Sequence, residues 1–390
     1  RPDALVQIAT LALKSGNAII LKGGSEAANS NRALAEAIEG GARQAGMPDG
    51  WIVLIETRED VRALLSMDDY IDLLIPRVFV EGFDALLDYA HALDLPASPR
   101  QIVTANAFGT DEPFKAWVSE KVGQGSDYII WQHGNNYGSH RWITPLVEEV
   151  TPDAFITWGG PGITDKGMPG LTNKRETRLR SRSRGADRIV LIEDSESLHR
   201  RYAWENYPDY LRYFEDQLKF VGLLSPVIQQ KVLVRLHHEV TRFSFDEPTR
   251  WREAFPNVEL DIWRRSPREL FRTARLVVHS YESTSFLECL ASNIPSLGFW
   301  SLGLDHLNHE ARGAFETLVD AGIVVFTPEE AASIVDANWP SYRIWWRGKR
   351  VQEARRAFVH TYARTSPVTG FRVGSLIRKL QTSQRQWTFN

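Results

Sequence analysis

A single cysteine, Cys289, stands in 390 residues, which excludes an intrachain disulfide framework and any multi-cysteine metal site. No apolar run approaches the roughly 18 residues that a membrane-spanning helix needs. The first residues also lack the charged-then-apolar layout of a signal peptide, so no membrane span and a cytoplasmic location are expected. A surplus of one charge is missing too, since the net charge is −3, and this argues against general nucleic-acid affinity. No methionine opens the chain, which begins at Arg1 inside an amphipathic helical pattern, so an upstream piece is expected. What is present is 43% apolar and 24% charged sequence, enough for two or three α/β domains with real cores. One local excess breaks the balance: seven Lys or Arg residues fall between Lys174 and Arg188. Interrupted by Ser and Gly, they read as a solvated interdomain linker, with contact to an anionic ligand as the alternative.

Near the amino end, Leu5, Ile8, Ala9, Leu11 and Ala12 keep helical spacing, Gly16-Asn17 breaks the helix, and Ala18 to Leu21 reads as a buried strand. Lys22-Gly23-Gly24-Ser25-Glu26 follows, and Asn29 to Ala45 return to a helical pattern. Glycines after a strand let a ligand approach the backbone, and a lysine there can meet a phosphate. The longer strings ALKSGNAIILKGGSEAANSNRAL and MDDYIDLLIPR resemble the γ-glutamyl phosphate reductase (glutamate-5-semialdehyde dehydrogenase) family of the aldehyde dehydrogenase superfamily. The resemblance implies that residues 1–77 are part of a cofactor-binding segment, with Lys22 and Glu26 at the adenosine ribose of NADPH. It stops at Arg77, where the family continues with a glycine-rich turn and this chain runs into Val78-Phe79-Val80. No polar or Gly/Pro-rich linker marks the joint, which favours a rearrangement or misassembly, with a natural fusion as the alternative. Residues 1–77 are therefore expected to be loosely attached. A reductase of this kind needs a thiolate to attack an acyl phosphate. Cys289 sits in Phe286-Leu287-Glu288-Cys289-Leu290-Ala291, where a small packing role is expected.

Residues 78–390 read as two successive α/β series. Gln101 to Ala105 and Tyr128 to Trp131 read as strands around a helix from Glu112 to Val122, which implies a parallel sheet. At the end of the second strand stands His133-Gly134-Asn135-Asn136-Tyr137-Gly138. Ligands of open α/β sheets bind at such strand ends, so His133 and Gly134 become candidates, against a structural role for the lone histidine. A third strand, Ala154 to Trp158, ends in Gly159-Gly160-Pro161-Gly162, a second permissive loop. After the basic stretch, Arg188 to Ile192 opens the next series. Its later members are a helix from Pro208 to Leu224, strands over Lys231 to Leu236 and Leu276 to His279, a helix over Thr284 to Ser292, and a strand over Pro295 to Phe299. Arg235 and His237 share a strand face, for an edge ion pair or for phosphate. The turn Ser280-Tyr281-Glu282-Ser283-Thr284 puts hydroxyls and amides at a helix start, for capping or for phosphate. Glu288 lies one turn further, as a surface carboxylate or a ribose contact.

The run HSYESTSFLECLASNIPSLGFW resembles the donor-nucleotide motif of GT-B glycosyltransferases. That resemblance implies Ser283 and Thr284 at the diphosphate and Glu288 at the ribose. WQHGNNYG with FITWGG, and SYRIWWRGKRVQEARRAFVHTYA, look like a family of inferred transferases from bacterial surface-carbohydrate loci. The fold expected is α/β, with Rossmann-like parallel sheets in a GT-B-like two-domain arrangement: a partial acceptor domain over 78–173, the linker over 174–188 and a nucleotide-donor domain over 189–390. The acceptor domain has only a few strands, and the reductase segment stands where the rest would be. Trp345, Trp346, Phe358 and Tyr362 at helical spacing are expected in the core of a terminal helix, the alternative being a sugar-stacking platform.

No Asp-x-Asp pair occurs, so no cofactor and no divalent metal are required for the transferase reading. Helix-start amides can stabilise a leaving diphosphate. His133 would be the base that deprotonates an acceptor hydroxyl, since imidazole titrates near working pH. The expected partners are a nucleotide-sugar donor and a carbohydrate acceptor, with oligomeric state open. An NADPH-dependent reductase fragment and an inactive nucleotide-binding module are the competing readings.

Overall fold

The computed structural model describes the chain except residues 1, 24–26, 56, 65–66, 68–79, 142–145, 161, 163, 173–185, 195–209, 238–244, 302 and 367–390. The joint at 77/78, most of the basic stretch and Glu26 therefore lie outside the described residues. The chain divides into two compact units, Arg1–Gly82 and Phe83–Asn390.

In the first unit, the helices Pro2–Ser15 and Ala28–Gln44 accompany strands β1 (Ile19–Lys22) and β2 (Ile52–Ile55), which pair in parallel. Leu5 and Ala9, one helical turn apart, share a small core with Leu21, Ala35, Ala42, Trp51 and Ile52. The expected βα unit is present.

The second unit holds two parallel sheets. The smaller runs β3 (Gln101–Thr104), β4 (Asp127–Trp131), β5 (Ala154–Thr157) and β6 (Gly167–Pro169), side by side in chain order. The larger is built from β7 (Arg188–Ile192), β8 (Val232–Arg235), β9 (Glu259–Asp261), β10 (Ala274–His279), β11 (Ser296–Phe299) and β12 (Val324–Val325). Its spatial order is β12-β11-β10-β7-β8-β9. Numbered within the sheet, this is the doubly wound order of a dinucleotide-type fold, which reverses direction between β7 and β10.

Period-two alternation explains why these strands read as unbroken apolar runs. Ile189, Leu191, Val232, Val234, Leu276 and Val278 enter one core. Their neighbours Val190, Ile192, Leu233 and Val277 enter another on the opposite face, together with the buried Cys289. Each such side chain, fully removed from water, contributes about 1.5–3 kcal/mol. Packing is thus the role the structure gives Cys289, as its helical context indicates. Among the described residues no helix is long and apolar enough to cross a membrane.

The aromatic carboxy-terminal stretch forms two helices, Tyr342–Arg347 and Lys349–Tyr362, parted at Gly348, where a single terminal helix is expected from the spacing. Trp346 and Phe358 join Phe286, Trp300 and Phe315 in a third core, with Trp345 and Tyr362 against it. Beyond Tyr362 the chain returns to the smaller sheet: the Arg364 amide donates to Trp158 O (2.7 Å), and the Thr172 amide donates to Arg364 O (2.8 Å). Gly159 is fitted to this crossing. A Cβ there would stand 2.6 Å from His360 O and 2.8 Å from Thr361 O, and its φ is +146°. The space that the glycines after β5 leave, read from sequence as a permissive ligand loop, is filled by the chain's own backbone.

Candidate functional site

In a doubly wound sheet, ligands enter the crevice outside the carboxyl ends of the strands, where the order reverses. Here that point lies between β7 and β10, with His279 in register with Ile192. Past these ends, the Ser280 amide and hydroxyl both donate to Ile192 O, at 3.1 and 2.8 Å. Tyr213 Oη bonds the Ser280 hydroxyl and accepts from the Asp194 amide. The two strand ends are thus held by a buried polar network. His279 is fully buried, and burial drives its imidazole down to about 3, so it is neutral. Its Nδ1 lies 3.3 Å from the hydroxyls of Ser283 and Ser285.

The helix Thr284–Ala291 starts at this point. Ser283 is its N-cap, accepting from the Phe286 amide at 3.1 Å. Capping, one of the two readings for Ser283, is therefore what its hydroxyl does. Of the first-turn amides, that of Phe286 is taken by Ser283, and those of Thr284 and Ser285 lie at the helix start, where the dipole favours an anion. Glu288, half-buried, lies one turn along the same face as Thr284.

Over this helix start lies the loop that follows β4 in the smaller sheet. Gly134 comes so close to Thr284 that a Cβ would stand 2.7 Å from Thr284 Oγ1. Thr284 Oγ1 donates to Asn135 Oδ1 (3.0 Å) and accepts from the Asn135 amide (3.3 Å), while Asn135 Nδ2 donates to Glu282 O. Asn136 follows in the left-handed region, with φ +77°, a conformation that asparagine tolerates better than most residues. Further on, the Asn308 amide donates to Ser139 O (2.7 Å), the Arg141 amide donates to His306 O (2.9 Å), and His140 bridges Leu307. The loop from 134 to 141 is therefore fastened to the turns of the larger sheet at both ends.

His133, exposed beside this junction, has its Nδ1 2.8 Å from Tyr137 Oη, and Tyr137 Oη donates to Glu148 Oε1 at 2.9 Å. Because the single phenolic proton goes to the carboxylate, the imidazole must donate through Nδ1. That tautomer makes Nε2 the lone-pair nitrogen. Burial, reinforced by Glu148, drives the Tyr137 phenol far above its ordinary range, so it stays protonated.

Arg235 resolves to the ion pair, and a buried one: it is 4% exposed, bonds Asp261 and Arg265 O, and lies 4.3 Å over the Trp263 ring. Lys22 is exposed at the end of β1 in the first unit, and Glu26, its companion in the reductase resemblance, is outside the described residues. The structure thus brings His133, Gly134, Ser283 and Thr284 together, with Glu288 one turn away.

Sequence reasoning missed several members of this site. Asn135 and Tyr137 stand inside the quoted HGNNYG string, where their side chains are the signal that a strand-end turn is being held. Glu148 carries no sequence signal, because its place is set by folding. Glu282 sits in the hydroxyl-rich turn, a carboxylate 9% exposed. Burial pushes it up, and the ring nitrogens of His140 and His306 more than offset this, leaving it at about 2.

Comparison with known proteins finds two sets of relatives. A 77-residue stretch is 64% identical to the γ-glutamyl phosphate reductase of Pelotomaculum thermopropionicum and 61% identical to that of Ruminiclostridium cellulolyticum. In each case 20% of this chain is covered and 18% of the relative, so the chain spans less than a fifth of those reductases. Among solved structures, the Anabaena Alr3699/HepE protein in complex with UDP and glucose is 10% identical, with 89% of each chain covered and a TM-score of 0.44. The glycotransferase of kitacinnamycin is 14% identical over 84% of this chain and 91% of its own, at 0.41. Scores this low carry no functional reading. The model of one family, described as the LIC12162 family transferases, matches residues 55–369, and the chain belongs to that family of transferases.

Proposed function

We propose that this transferase moves a sugar or sugar-like group from a nucleotide donor to a hydroxyl acceptor, as in the building of surface carbohydrate. The observation behind the reading is the seating of the β4 loop, with His133 and Gly134, on the helix start at Ser283–Thr284 beside the reversal point of the larger sheet. A nucleotide fits that crevice with its phosphates toward the first-turn amides and its ribose toward Glu288. His133 Nε2 takes the proton of the acceptor hydroxyl. The oxygen bonds to the transferred carbon, the bond from that carbon to the donor phosphate breaks, and the amides receive the charge of the departing diphosphate. Glu148, through Tyr137, holds the ring in the tautomer this requires and stabilises the imidazolium. The reductase alternative has no thiol in its support, since Cys289 is fully buried in a core.

Thermal stabilisation by UDP, GDP, CMP and CDP against NADPH is the test. A nucleoside phosphate is expected to raise the melting temperature more than NADPH does; equal shifts, or a larger one with NADPH, overturn the reading. With the stabilising nucleotide in hand, His133→Ala is expected to lower transfer by about 10²–10⁴-fold and leave nucleotide affinity nearly intact. Retained turnover removes His133 from the mechanism.

A further inference from the structure

Where the β4 loop meets the turn before the Thr284–Ala291 helix, three side chains converge: His140 from the loop, Glu282 from the turn, and His306 from the segment after β11. His306 Nε2 stands 2.8 Å and His140 Nε2 3.6 Å from the same carboxylate oxygen, Glu282 Oε2. One ligand atom from each lies within 4.8 Å of the others. One imidazole is enough to satisfy that oxygen, and His306 already does so. The second ring adds no hydrogen bond: among the described residues neither nitrogen of His140 has one, although both are shielded from solvent.

We propose that His140, Glu282 and His306 bind a divalent transition-metal ion of the zinc class, with a fourth position left for water or an exogenous ligand. Two imidazoles and one carboxylate are a borderline donor set that suits zinc, cobalt or nickel and disfavours magnesium and calcium. At bond lengths of about 2.0–2.2 Å, tetrahedral ligand atoms lie roughly 3.3–3.6 Å apart, which is the His140–Glu282 spacing, whereas the 2.8 Å contact is a hydrogen bond whose proton the ion replaces. The ligands are also held in place. Ser139 Oγ reaches Glu282 Oε1 at 3.4 Å, the kind of outer contact that orients a metal-bound carboxylate. The His140–Leu307 bridge and the bonds of Arg141 and Asn308 fix the two histidine backbones relative to each other. The ion fastens the loop of the smaller sheet to the turn of the larger one, and the inference stands whether or not the transferred group is a sugar.

The experiment uses the full chain without a histidine tag, stripped with a chelator and dialysed. Zinc titrated against a chromophoric chelator is expected to bind one equivalent, with no competition from millimolar magnesium. Losing an outer-shell partner of a metal ligand costs about 10–100-fold in affinity, so Ser139→Ala is expected to weaken zinc binding within that range. His140→Ala and His306→Ala, which remove ligands, should weaken it at least as much. Because a ligand variant can lose its fold, the melting temperature of the native chain is also read with and without zinc. Zinc is expected to raise it. Absence of stoichiometric binding, wild-type affinity in a folded His140→Ala or His306→Ala chain, or an unchanged melting temperature with zinc would overturn the assignment.

Discussion

Gly134 and Gly159 each follow a strand of the smaller sheet and carry the same message in sequence, that something comes close to the backbone. The structure gives the two messages different senders. Beside Gly134 it is the hydroxyl of Thr284, from the helix start of the other sheet, and beside Gly159 it is the carbonyls of His360 and Thr361. A glycine at a strand end thus reports close approach without saying whether a ligand, a side chain or a passing strand of the same molecule makes it. The first contact ties the β4 loop to a helix start, and the second holds the carboxy-terminal crossing against the end of β5.

The sharpest way to break this comparison is Gly159→Ala. The added methyl meets immovable carbonyl oxygens and adopts a backbone angle that side chains avoid, so a loss of roughly 3 kcal/mol or more is expected by chemical denaturation. A loss below about 0.5 kcal/mol, the usual range of surface changes, would mean that the carboxy-terminal crossing yields easily. Gly134→Ala meets only a threonine hydroxyl, so about 1–3 kcal/mol of stability is expected to go, with nucleotide affinity falling as the Thr284 rotamer is displaced. Unchanged affinity in calorimetry would move the cleft away from this junction. Glu288→Gln keeps shape and removes charge, and is expected to weaken nucleotide binding by about 1–3 kcal/mol without lowering stability. An isotherm identical to wild type would return Glu288 to the surface role.

A further test concerns pH. Glu193, 2% exposed at the end of β7, accepts from Trp251 Nε1 at 2.9 Å. Burial raises its carboxyl to about 8, against the lowering by Trp251 and with a further push from Glu247. The unfolded carboxyl titrates at about 4.3, so between that value and 8 the folded state holds the extra proton. Stability is therefore fully present below pH 4.3 and declines as pH rises through the window. Glu193→Gln is expected to flatten that decline, with its melting temperature gaining on wild type from pH 6 to 8.5. Parallel curves would show that the carboxyl is ionised in the fold.

Both sheets were legible in sequence because apolar runs between helical stretches allow little else: Arg188–Ile192 emerges with the bounds expected of it. The short strands β6, β9 and β12 were not, being two or three residues long with no period to detect. Within the site, His133 and the Ser283–Thr284 turn stood out because glycine and hydroxyls mark a strand end and a helix start. Glu148, His140 and His306 did not. Their meaning comes from side chains distant in sequence, as when Glu282 is met by His140 from 142 positions earlier, and no local pattern records such a meeting. Arg235 was legible as a charge on a strand, yet its partner Asp261 comes from β9.

The return of the carboxy-terminal segment to Trp158 and Thr172 makes the order of the chain differ from the order of the fold. A cut in the stretch between the two sheets severs the covalent thread once, but the halves remain sewn by a second pass at the far end. Neither half can be produced as a clean module by choosing one boundary: a fragment ending before the linker lacks the strip that covers Gly159, and one beginning after it keeps that strip packed on Phe286 and Phe315 but leaves the Arg364 amide without Trp158 O. Mixed together, two such fragments should recognise each other, since each holds what the other is missing.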